Sequence, residues 1–341
     1  MLRHKIKGIK FGGMHLLKSI VSICLIITCA DIAFAEGKSS ADTMPFACIP
    51  AVTKEERLKF ARLYERDPND QMAFYNAAYL HIYLRDYVKV EKMARLALKN
   101  HPSWSSPYVI LAKVAEAQFE DMDCLEFYRL AVKANPHWVS SSILYADKLN
   151  VCEKHSESVA VSSAAIKYCV SLPVDPEVAL VTRALRYTKA QALYNLKNYT
   201  AAAKEIEVSG AQEDNLIHLK LLAECYIKSK QFPKALAIGN KLCKLSPIDY
   251  AYRLQRAQIL SAMDQPQKAI DDLSTCLKLN RYQVKGGGLD TIKAMGDRDC
   301  LLLRASQYDK LGKKELAQKD RAAVKLSADT TYKETVFRSG K

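Results

Sequence analysis

The sequence predicts an all-α chain, a stack of antiparallel helix pairs, and three observations carry that prediction. Pro68, Pro102 and Pro136 stand 34 residues apart, twice over, and each closes an apolar-periodic segment, a polar break and a second such segment. Within one unit, Phe74, Ala77, Ala78 and His81 share a helical face, and Val90, Ala94, Ala97 and Leu98 repeat the pattern after the break at Arg85-Asp86. Composition removes the competitors: 49% apolar and 26% charged residues exclude a wholly disordered chain, and 12 glycines with 11 prolines among 341 residues exclude collagen-like and linker-like ones.

The elements follow in chain order. Residues 1–35 read as an export signal. Arg3, Lys5, Lys7, Lys10 and Lys18 form a cationic start, Ser19 to Ala30 an apolar run, and Ala33-Phe34-Ala35 a small-residue cleavage site. Met14, followed by His15 and Lys18, would also serve as the start of a compact signal. The stretch from Leu16 to Ala30 is shorter than the roughly 20 residues a membrane span needs, and Thr28 is a poor neighbour for a lipidated Cys29. Residues 36–52 are expected to be a flexible leader. Thr53 and Glu56 have the capping-box spacing, so 53–68 reads as a capping helix, the second half of a truncated repeat. The repeat region spans 69–327, with an insertion over 284–297 that holds Gly286-Gly287-Gly288, and 328–341 is a tail. Proline closes each second helix because it lacks an amide donor and pushes the preceding residue out of the α region.

A period of 34 residues in helix pairs resembles the tetratricopeptide repeat family. The unit starting at Gln71 supplies Phe74, Ala78, Tyr87, Ala97 and Pro102, with His81 as a departure at position 11. The unit at Ser105 supplies Tyr108, Ala112, Ala115, Cys124, Ala131 and Pro136. Further units start near Arg183, at Leu216, at Tyr250 and near Arg298, and a weak one covers 139–176. The resemblance implies a right-handed superhelical solenoid of about six to seven repeats, with small residues at positions 8 and 20 where the two helices cross closely.

In the resembled family, positions 2, 5, 9, 12 and 13 of each first helix line the concave groove. Carried over, these positions are Met72, Tyr75, Tyr79, Ile82 and Tyr83, then Val109, Lys113 and Glu116, then Tyr187, Gln191, Tyr194 and Asn195, and finally Lys220, Glu224 and Lys228. Tyr75, Tyr79, Tyr83, Lys113, Tyr187, Gln191, Tyr194 and Lys220 are the candidate peptide-binding residues. The tyrosine stripe suits anchoring, since each ring offers a broad apolar face and a hydroxyl at small entropic cost. Packing of the same rings against the capping helix is the alternative.

No HExxH, GxSxG, phosphate-loop or dinucleotide glycine motif occurs, and His81, His101, His137, His155 and His218 share no metal-ligand spacing. The expectation is a chain without catalysis, metal or cofactor. Removing residues 1–35 takes away five basic residues and one acid, so the net charge falls from +14 to +10. In an exported chain that surface points to protein partners or to anionic lipid and wall polymers rather than to nucleic acid. Eight cysteines remain, scattered and without a CxxC pair, and both free core thiols and disulfides stay open. The predicted function is a scaffold of the cell envelope or periplasm that binds an extended peptide or helix in its groove. Its rival is an envelope factor holding anionic lipid or wall polymer.

Overall fold

The computed structural model describes residues 53–210, 215–283 and 290–324. The export signal, the leader over 36–52, the triple glycine and the tail lie outside the described residues. Among the described residues every regular element is an α-helix, and none is long and apolar enough to cross a membrane. The chain divides into two units, 1–198 and 199–341.

The first unit holds α1 (Lys54–Arg66), α2 (Gln71–Tyr83), α3 (Tyr87–Asn100), α4 (Ser106–Ala117), α5 (Asp121–Ala134), α6 (Val139–Val151), α7 (His155–Val170) and α8 (Pro176–Asn195). The second holds α9 (Tyr199–Val208), α10 (Leu216–Lys228), α11 (Phe232–Leu245), α12 (Tyr250–Ala262), α13 (Pro266–Gln283) and α14 (Asp290–Lys310), then α15 over 314–324. Side-chain caps start many of these helices. Thr53 and Glu56 close a reciprocal capping box on α1. Asp70, Asp86, Asp175, Asn215 and Asp249 each accept from a first-turn amide, satisfying donors that have no partner inside the helix.

The repeat register is written most plainly in the hairpin turns. Arg85, Phe119, Glu153, Lys197, Lys230, Asp264 and Gly312 all have positive φ, between 54° and 71°. Each is residue 15 of a unit counted from 71, 105, 139, 183, 216, 250 and 298. The next amide reaches back five residues each time, as in Asp86 to the His81 carbonyl at 2.9 Å and Lys313 to the Tyr308 carbonyl at 2.9 Å. This is the helix-ending bond that uses a left-handed residue to satisfy terminal carbonyls. Only the last turn uses glycine there. The left-handed region costs other L-residues about 1 kcal/mol, and Phe119 has little packing to lose, being 85% exposed. Phe119→Gly is therefore expected to raise stability by about 0.5–1 kcal/mol after the glycine's extra unfolded-state entropy, read from urea unfolding midpoints.

Packing explains why small residues recur. Position 8 is Ala78, Ala112, Ala146, Ala190, Ala223, Ala257 and Ala305, all 0–1% exposed. Position 20 is Val90, Cys124, Ser158, Ala202, Ala235, Ala269 and Ala317, each at 0%. The crossing is so close that the Ser158 hydroxyl on α7 donates to the Ala146 carbonyl on α6 at 2.8 Å. At the N-terminal end α1 covers α2, with Tyr64 edge-on to Phe74 at 5.6 Å between ring centroids. Two boundaries depart from the sequence reading. Helix α8 starts at Pro176 rather than near Arg183, because Asp175 caps it and proline fits the first helical position. The insertion expected over 284–297 is helical from Asp290 onward, so α14 takes in its second half.

The second unit adds an ion pair that recurs with the repeat. Arg256 on α12 meets Asp272 on α13 through two bonds, its Nε donating at 2.7 Å, and a further nitrogen donates to Asn240 Oδ1 at 3.0 Å. One repeat on, Arg304 binds Asp320 the same way, at 2.8 and 2.7 Å, with Ser274 taking the role of Asn240 at 3.0 Å. Asp272 and Asp320 are 6% and 5% exposed. Both pairs join positions 7 and 23, and both bring a planar guanidinium to a carboxylate in fork geometry.

Candidate functional site

In the first unit the first helices of successive pairs contact one another, α2 with α4 and α6 with α8. Position 9 of the first helices carries Tyr79, Lys113, Asp147 and Gln191 on one helical face, and Lys113 lies within electrostatic reach of both Tyr79 and Asp147.

Tyr75 does not reach that face. It is 6% exposed, edge-on to Tyr79 at 4.9 Å and edge-on to Trp138 at 5.9 Å. Val109, its counterpart one repeat on, is fully buried, and Ile143 nearly so. Position 5 is a core position in these three repeats, because close approach of the first helices seals it. Tyr75 supports the ring of Tyr79, and Tyr79 is half-buried while Tyr83, one turn further, is 69% exposed beside exposed Leu84. On the capping-helix side, Tyr64 is seated on Phe74.

Lys113 lies next in the row. Its Nζ is 2.8 Å from Glu116 Oε2 and 5.8 Å from the centre of the Tyr128 ring. Burial opposes its charge, but Tyr128, Tyr79 and Glu116 outweigh burial and hold the ammonium well above its ordinary range. Lys148, 7% exposed, pairs with Asp121 at 2.8 Å and with Glu116 at 3.7 Å. The Asp147 carboxyl is pushed up from 3.8 to about 6, by burial first; Lys113 and Lys148 pull against that shift and Glu116 adds to it. Cys124 nearby is raised to about 12 by burial, which leaves it a protonated core thiol at neutral pH.

The direction of the Asp147 shift fixes a pH dependence. A carboxyl that keeps its proton longer in the folded state contributes nothing below 3.8, lowers stability progressively between 3.8 and about 6, and by a constant amount above. Asp147→Asn is therefore expected to remove a loss of stability that the parent chain shows as pH rises from 4 to 6. Unfolding midpoints of the two chains at each pH measure it.

On α8, Gln191 Nε2 donates to the Tyr187 hydroxyl at 3.3 Å, and Tyr187, Gln191 and Tyr194 are all partly buried. Helix α6 reaches this helix through Asn150 Nδ2, which donates to the Thr188 carbonyl at 3.0 Å. Lys220 is exposed on α10 in the second unit. The structure thus brings together Tyr75, Tyr79 and Lys113, and places Tyr187, Gln191 and Tyr194 along a different helix. Asp147 stands at position 9 of the unit starting at Val139, the weakest match to the repeat, and that weakness hides it from a reading of the sequence. Of the histidines, His101 stacks on Trp104 and its Nε2 donates to Asn69 Oδ1 at 2.9 Å, and His137 stacks on Tyr168. No cluster of three metal-ligating side chains occurs among the described residues.

No protein-family model matches the sequence, and no curated protein matches it. Solved structures do. PilW, a widely conserved type IV pilus biogenesis factor, is 17% identical, with 64% of this chain and 96% of that one covered and a TM-score of 0.50. PilF of Pseudomonas aeruginosa gives 14% identity over 67% and 95%, with a TM-score of 0.49. A tetratricopeptide repeat protein from Parabacteroides merdae gives 14% over 79% and 93%, with 0.48. At this level of identity the likeness to PilW speaks to the fold alone. The chain has an all-α helical-repeat fold of the tetratricopeptide type.

Proposed function

We propose that this chain is a non-catalytic interaction scaffold, exported to the cell envelope or periplasm, that captures an extended peptide on the inner face of its first unit. The single observation that supports this most is the row of Tyr79, Lys113 and Asp147 on three successive first helices, flanked by exposed Tyr83. It offers an aromatic platform, a cation and a carboxyl on a rigidly packed support. Tyr79 and Tyr83 take an apolar side chain of the ligand, and Lys113 with Asp147 takes polar groups of its backbone. The export part of the reading rests on residues 1–35 and the surface charge. Binding to anionic lipid or wall polymer through that charge is the competing use, and it differs in its steep loss with salt.

The test starts from a phage-displayed peptide library selected on the purified chain. Peptides that bind the parent chain are expected to lose at least about tenfold in affinity to Tyr79→Ala/Tyr83→Ala, since anchoring rings carry most of the energy of such contacts. Lys220→Ala, on the second unit, serves as the comparison and should change affinity little if the first unit carries binding. Selected peptides that bind the double variant undiminished overturn the assignment of the site.

A further inference from the structure

Seven cysteines fall among the described residues, all with free thiols: Cys124, Cys152, Cys169, Cys225, Cys243, Cys276 and Cys300. Cys276 on α13 and Cys300 on α14 meet sulfur to sulfur at 2.9 Å. That equals the length of an ordinary N–H···O bond, about 2.9 Å, although sulfur is a much larger atom. Both residues are 0% exposed, within a core that also holds Ala257, Leu260, Leu273 and Leu277. The other polar contact of the pair is from Cys276 Sγ to the Tyr250 carbonyl at 3.4 Å. Two thiols pressed this closely repel one another, and a covalent bond removes the repulsion after the sulfurs approach by roughly a further 0.9 Å.

We infer that Cys276 and Cys300 become a disulfide when the chain meets a disulfide-bearing oxidant, fastening α13 to α14. The oxidant is a small-molecule disulfide such as oxidised glutathione, or a dithiol oxidoreductase in its disulfide form. One cysteine thiolate attacks the oxidant's S–S bond and displaces one of its sulfurs as a thiolate. The second cysteine thiolate attacks the resulting mixed disulfide, forms the Cys276–Cys300 bond and releases the other sulfur. The protein loses two S–H protons and two electrons, and the oxidant gains both as two thiols.

The pair cannot react from within the closed core. The hydrogen bond shared with Cys300, which favours the protonated form, and then burial push the Cys276 thiol up, so little thiolate exists once the helices are packed. Oxidation therefore accompanies folding, or an opening of α13 from α14. Once formed, the link closes a loop between residues 24 apart, and such a bond persists in an oxidising compartment and is lost in a reducing one.

The experiment refolds the full chain from denaturant and dithiothreitol into a mixture of reduced and oxidised glutathione. The product is then denatured, alkylated and digested for mass spectrometry. A peptide linked through Cys276 and Cys300 is expected, with an intact mass about 2 Da below the reduced chain. The melting midpoint of the oxidised chain should lie about 5–10 °C above that of the same chain in dithiothreitol. Cys276→Ala should abolish the mass loss and the reductant dependence, and Cys243→Ala should leave both in place. Full alkylation of Cys276 and Cys300 after oxidative refolding overturns the inference, as does a linked peptide joining either one to another cysteine. Both readings come from the parent chain's own peptides, so they stand even if a variant folds poorly.

Discussion

Ala146→Leu is expected to destabilise the first unit by about 3 kcal/mol. Ala146 is fully buried on α6, and its carbonyl accepts the Ser158 hydroxyl of α7 at 2.8 Å, so the two backbones are already in near contact. Three more carbon atoms have no space at that crossing without separating the helices, and overpacking of a close core costs about 1–3 kcal/mol before any bond is lost. Separation also breaks the Ser158 bond, worth about 1 kcal/mol. Ser158→Ala should lose only that second part. Ala117→Leu, at the exposed end of α4, should leave stability nearly unchanged. Urea unfolding followed by far-ultraviolet circular dichroism measures all three. A shift at Ala146 no larger than at Ala117 would show that the helices do not cross where the repeat requires. Each repeat buries its apolar face only against its neighbours, so the loss should extend to the pairs on either side.

Asp272→Ala is the other large effect, expected in the second unit at about 3 kcal/mol. Asp272 is 6% exposed and takes both bonds of the Arg256 fork, while Arg256 keeps only the neutral Asn240 when it is gone. Removing one member of a buried pair leaves the other charge uncompensated, which costs about 3–5 kcal/mol in well-buried cases; Arg256 is part-exposed, which moves the figure to the lower end. Arg256→Met/Asp272→Leu should recover most of the loss, since apolar residues of similar volume suit the same space. A double variant as unstable as Asp272→Ala alone would mean that packing, not the charge, is what the site requires. The Arg304–Asp320 pair is set in the same way and gives an internal repeat of the experiment.

Much of the architecture is legible in the chain. The register read from prolines and small residues coincides with the first helical residue at Gln71, Val139, Leu216 and Tyr250, and with the left-handed turn residue in all seven hairpins. Alanine at position 8 is legible because a helix crossing at short distance admits almost nothing else. The site was read less well. A period of 34 says which residues share a position, but the distance between neighbouring first helices decides whether position 5 faces solvent, and it does not for Tyr75 and Val109. The recurring Arg–Asp pairs of positions 7 and 23 occur in only two units, too few to stand out against the scattered surface charges.

Local chemistry by itself determined the helix pairs, their starts, their turns and the small residues between them, because caps, left-handed turns and close crossings act over a few residues and repeat. Only the tertiary structure decided which tyrosines support and which present, that Asp147 joins Tyr79 and Lys113, and that two cysteines 24 residues apart touch. Those facts depend on how closely one pair settles on the next, a distance set by every side chain in the interface together.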